Sequence, residues 1–95
     1  MEQYYGMDYD WKQYDGKEDG LYMDITFPDH MNFQHPPYVH TYLTCKSHCW
    51  TTQGVTSIYK LTNKGFRVYI RQNGITVAKA QGYEWKLHFK VESMD

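Results

Sequence analysis

The chain has 95 residues, a formal net charge of -1, and aromatic residues at 18%, with ten Tyr against four Phe and three Trp. That length suffices for one domain burying only about 60–65% of its unfolded surface, and so a thin core; the many rings and small net charge exclude a fully solvated, disordered chain. No stretch approaches the roughly 18 apolar residues of a membrane span, and the start of the chain lacks the apolar core of a signal peptide, so neither membrane insertion nor a secretory leader is expected.

The near-neutral total hides an asymmetry. Met1 to Gln34 carry eight acids against two lysines, and His35 to Asp95 carry eight bases against three acids. The two parts attract one another. Lys60, Lys64, Arg67 and Arg71 are diluted by Glu84 and Glu92 and form no basic run, which argues against a nucleic-acid partner.

In chain order, residues 1–20 are polar and Gly-spaced, and their aromatics follow neither a helical nor a strict strand period. They are read as an acidic, Tyr-rich N-terminal arm, with Tyr4, Tyr5, Tyr9 and Trp11 lying on a sheet edge or a neighbour. Residues 21–95 read as β throughout. Leu21 to Phe27 is a strand ended by Pro28, which has no N–H for a ladder. Tyr38 to Cys45 alternates Val39, Thr41, Leu43 and Cys45 against Tyr38, His40, Tyr42 and Thr44. Val55 to Thr62 pairs through the turn Thr62-Asn63-Lys64-Gly65 with Phe66 to Arg71. Asn73-Gly74 predicts a type I′ hairpin turn, with Ile75 to Ala80 as the return strand. The last strand has the cleanest pattern: Tyr83, Trp85, Leu87, Phe89 and Val91 on one side, Glu84, Lys86, His88, Lys90 and Glu92 on the other. Six short strands with no helical period predict an all-β, six-stranded antiparallel sandwich.

The order Ile25-Thr26-Phe27, Phe33, Pro36-Pro37 with Val39, Gly65-Phe66, then a strand carrying Trp85, resembles the H-type lectin family over Asp24 to Val91. The resemblance implies a homotrimer of six-stranded sandwiches that binds galactose-type sugars of a cell-surface glycan at clefts between subunits. It further implies a place in a bacteriophage tail or fibre, where such domains occur, or another extracellular setting. The position at which sugar-binding members carry an Arg falls on Gln53, and their Trp-His pair falls on Asn73-Gly74, so both large groups differ here. Asp8 or Asp10, before Trp11, stands where the family has its acid.

Independently of the family, a sugar site needs an aromatic face for the apolar side of the ring and planar polar groups for its hydroxyls. Trp50 and Gln53 share the long irregular stretch Lys46 to Gly54, and Arg71 borders it. With Asp10 and Asn73, the positions that the resemblance implies, the expected carbohydrate-binding set is Asp10, Trp50, Gln53, Arg71 and Asn73. For Trp50 the plainer reading is packing against a neighbouring subunit, and for Arg71 a cross-strand contact with Tyr42. Cys45 and Cys49 are read as two unreactive thiols, with a local bridge across Lys46-Ser47-His48 sterically possible; the second pair of ligands that zinc sites favour is absent. His30, His35, His40, His48 and His88 are scattered. No carboxylate pair, triad or cofactor loop appears, so neither an enzyme nor a cofactor is expected. The rival to a lectin is an assembly protein of a virion that uses the same fold and contacts other proteins through residues 1–20.

Overall fold

The computed structural model describes residues 3–53 and 57–95. Its elements are β1 (Gln3–Asp8), β2 (Lys12–Gln13), a 3-10 turn (Tyr14–Gly16), β3 (Gly20–Thr26), β4 (Tyr38–Thr44), β5 (Ile58–Tyr59), β6 (Gly65–Arg71), α1 (Val77–Gly82) and β7 (Lys86–Glu92). They form two antiparallel sheets, ordered β1-β7-β4 and β2-β3-β6-β5. The protein is thus mostly β.

Alternation decides which face of each strand is buried. Leu21, Met23 and Ile25 of β3, Phe66, Val68 and Ile70 of β6, and Leu87, Phe89 and Val91 of β7 all face one core. Phe66 meets Phe89 edge to face at 5.8 Å, joining the two sheets through their rings. The loop between β3 and β4 adds Phe27 and Phe33, in T-shaped contact at 5.5 Å. The hairpin expected before β6 is present: Ile58 and Tyr59 pair with Val68 and Arg67, and Thr62 N–H donates to the Gly65 carbonyl. The first part of the expected strand Val55–Thr62 lies outside the described residues.

Three expectations are corrected. Residues 3–20 are not an appended arm. β1 pairs along its whole length with β7, and β2 pairs with β3. Trp11 is buried in the core, and its indole N–H donates to the Trp85 carbonyl at 3.0 Å. Counting β1 and the two-residue β2 and β5, the described residues hold seven strands, not six.

Second, Ile75–Ala80 is not a return strand. Among Asn73 and Gly74 only Gly74 has positive φ, at 78°, whereas a type I′ turn needs it at both central residues. The turn closed by Ile75 N–H on the Gln72 carbonyl instead has the positive φ at its second central position, as in type II. That geometry leads the chain away from β6. Thr76 then caps α1 by accepting the Lys79 N–H at 3.2 Å, and Ile75 and Ala80 reach the core. Third, Cys45 and Cys49 are bridged, not free thiols.

Candidate functional site

The segment from Cys45 to Gln53 leaves the end of β4 with no regular ladder to hold it, and a series of specific contacts does so instead. The Cys45–Cys49 disulfide closes its first turn. Lys46 N–H donates to the Tyr83 carbonyl at 2.8 Å, and the Trp85 indole N–H donates to the Ser47 carbonyl at 3.1 Å. His48, at φ 68°, stacks on Tyr83 with ring centroids 4.3 Å apart. Thr52 donates to the Cys49 carbonyl through both its N–H and its hydroxyl. Gln72 donates its side-chain amide to the His48 carbonyl and to Thr51 Oγ1. At the far end Gln53 and Arg71 form an antiparallel bridge.

Trp50 sits within this braced loop and is 89% exposed, whereas Trp11 and Trp85 are 3% and 1% exposed. The fully exposed indole is thus carried on a backbone fixed at both ends. Beside it lies a depression of about 570 Å³ bordered by His48, Trp50, Thr51, Gln53, Arg71, Gln72 and Asn73. Four of the five residues expected to bind sugar meet there: Trp50, Gln53, Arg71 and Asn73. Asp10 does not. It stands between β1 and β2, exposed, with Lys12 Nζ at 3.5 Å.

The acid near the site is Asp19, whose Oδ2 lies 3.6 Å from Arg71 Nη2. It arrives because Gly20 pairs with Arg71 in the β3–β6 register, a relation that spacing along the chain does not reveal. Gln72 was also missed, although it lies between two expected residues. The expected Arg71–Tyr42 pairing does not form, since β4 and β6 belong to different sheets. The other arginine of β6, Arg67, is committed to the fold: its Nε and Nη2 donate to both oxygens of Asp24 at 2.6 and 2.8 Å, and its guanidinium lies 4.4 Å from the Tyr22 ring centre. That pairing holds the Asp24 carboxyl below the usual carboxylate range, chiefly through the side-chain hydrogen bond.

The site's side chains are an indole face, an imidazole, three carboxamides, one guanidinium and a hydroxyl. They can stack on an apolar face and can donate and accept hydrogen bonds in a plane. No group of three or more His, Cys, Asp or Glu among the described residues is arranged to hold a metal ion. Comparison of this chain with protein-family models, with curated proteins and with solved structures finds no match.

Proposed function

We propose that the chain is a non-catalytic, H-type-lectin-like module that binds a cell-surface glycan. Trp50 stacks on the apolar face of a sugar ring, and Gln53, Arg71 and Asn73 hydrogen-bond its hydroxyls. The observation that carries this reading is the exposure of Trp50 on a cross-braced loop. A scattered exposed apolar residue needs no explanation, but a tryptophan that the fold holds in water beside convergent planar polar groups has the composition of a binding site. Because the loop is already fixed, stacking a sugar on it incurs little ordering cost. The intrachain disulfide supports an extracellular or virion-surface setting such as a phage tail, since such bonds persist in oxidising surroundings.

The test is retention on a glycan array of galactose-, N-acetylgalactosamine- and cell-wall-type sugars, followed by acrylamide quenching of tryptophan fluorescence with the retained sugar. Binding should shield the single exposed indole, and W50A should abolish retention. Failure to retain on any array, or quenching unchanged by a retained sugar, defeats the reading.

A second reading has its own support. The outer face of β1-β7-β4 exposes Tyr5 at 67%, Tyr38 at 55%, Tyr42 at 52% and Met7 at 47% around His88, Lys90 and Glu92 of β7, an aromatic and polar surface suited to contacts between copies, including a trimer, or to other virion proteins. Native mass by light scattering separates the readings: a monomer that still binds glycan removes self-assembly and leaves sugar binding in place.

A further inference from the structure

Gln53 and Arg71 border two hollows. On one side is the depression beside Trp50; on the other a groove of about 550 Å³ runs over the outer face of β3 and β6. Three tyrosines line the groove, together with the polar Lys17, Asp19 and Ser57. Tyr69 of β6 is met edge to face by Tyr14 at 5.5 Å and by Tyr59 at 4.9 Å, with interplanar angles of 88° and 87°. Tyr14 follows β2 and Tyr59 lies in β5, on opposite sides of β6 in the sheet, so the two rings wall the groove and Tyr69 floors it. Gly20, opposite Arg71 in the register, places no side chain on that face, where a Cβ would lie 3.6 Å from Tyr14 Cβ.

The geometry points to an extended ligand: we propose that this site takes a glycan of at least three linked sugars, with one unit on Trp50, a second over the Gln53–Arg71 ridge and a third between Tyr14 and Tyr59. This rests on the carbohydrate reading above and specifies its ligand class. Each hollow lies within the roughly 300–1,000 Å³ typical of small-molecule sites, so one terminal sugar fills one of them and leaves the other wet. Along the trough an aromatic face, a planar polar ridge and an aromatic groove follow in turn, matching the alternation of apolar ring faces and hydroxyl rims along a sugar chain. Gln53 offers both a donor and an acceptor at the ridge, as a hydroxyl requires. A proline-rich peptide also fits between tyrosine walls, but it presents carbonyl acceptors alone and no use for that acceptor.

The experiment is affinity electrophoresis of the full chain through gels containing soluble arabinogalactan, galactomannan, mannan, xylan or glycol chitin, with decaproline titrated in parallel. Oligosaccharides of one to six units of whichever polymer retards the protein are then titrated. Affinity is expected to rise at least about ten-fold between one and three or four units, the gain that roughly one further well-placed contact supplies. Y59A, at an exposed edge position, should remove most of that gain while leaving the affinity for the single sugar unchanged; Y14A is the second variant, and thermal melts check that both remain folded. A single sugar binding as tightly as the tetramer, or a length gain that survives both variants, overturns the extended site while the lectin reading stands. Binding of decaproline with no retardation by any polymer overturns both.

Discussion

Gln53 and Arg71 exchange both of their backbone hydrogen bonds: Arg71 N–H donates to the Gln53 carbonyl at 2.7 Å, and Gln53 N–H donates to the Arg71 carbonyl at 2.9 Å. Directly opposed residues of an antiparallel pair carry their side chains on the same face. The bridge therefore fastens the loop to the end of β6 and sets a carboxamide beside a guanidinium. The fastening is made by main chain alone, and beyond it the Arg71 side chain makes only an exposed ion pair with Asp19, so neither side chain is needed to hold the bridge.

Substituting those side chains should accordingly separate binding from stability. R71A and Q53A are each expected to weaken glycan affinity, R71A by at least about ten-fold, in line with the roughly 1.5–3 kcal/mol of a hydrogen bond to a charged group. Their melting temperatures should stay within about 2 °C of the parent. R71K should recover only part of the loss, because an ammonium lacks the planar fork. Fluorescence titration of Trp50 measures all three; unchanged affinity in R71A removes Arg71 from the site.

The disulfide closes a loop of only a few residues, from Cys45 to Cys49. Chain-entropy arguments assign so small a ring about 2 kcal/mol, or about 10 °C of melting temperature in a domain of this size. C45S/C49S, or reduction of the wild type, should show that loss together with weakened glycan binding, since Trp50 follows the second cysteine directly. A reduced protein with an unchanged melt and unchanged affinity would show that the remaining braces hold the loop by themselves.

The parts of the fold legible in the sequence are those where one strand face is fully buried. β7 alternates without interruption because Leu87, Phe89 and Val91 all lie in the core, and β6 does so for the same reason. β1 was illegible because its inward position Gly6 breaks the apolar period: a Cβ there would lie 2.3 Å from the Phe89 ring. The glycine makes room for a partner that sequence proximity does not disclose. α1 was hidden by Asn73-Gly74, whose hairpin preference was overridden by Ile75 and Ala80 seeking the core. At the candidate site, Trp50 and Gln53 could be placed side by side from the sequence because they share a loop. Asp19 was not, because its approach to Arg71 depends on strand register.

If residues 3–20 belong to the sheets, truncating them must cost stability and not merely assembly. W11A should lose about 3–5 kcal/mol, as large aromatic truncations in cores do, which is a large share of the 5–15 kcal/mol of a typical domain. W11F should lose less, about 1–2 kcal/mol, by leaving the Trp85 carbonyl without its indole donor. Urea denaturation of both, and of a chain lacking residues 1–20, measures this. A truncated chain that melts like the parent would restore the arm reading.

The Asp24–Arg67 pair sets the expected response to acid. Asp24 is held below the usual carboxylate range in the folded chain, so its contribution is fully present above the unfolded value, near pH 4, and is lost as pH falls through the lower folded value. D24N removes that contribution at every pH. The melting temperatures of wild type and D24N should therefore differ most near neutrality and converge as pH falls through the lowered folded value. With the Asp24 side chain 49% exposed and that of Arg67 21% exposed, solvent screening limits the difference to about 0.5–1 kcal/mol despite the two-pronged geometry. Asp95, lowered by the Gln34 N–H and His35, titrates in the same direction, so the comparison is repeated in a D95N background to isolate Asp24. Raising the salt concentration should narrow the gap at pH 7, because the pair is partly open to ions. A D24N melt that parallels the wild type at all pH values would show that Tyr22 and the Tyr69 hydroxyl hold Arg67 without Asp24.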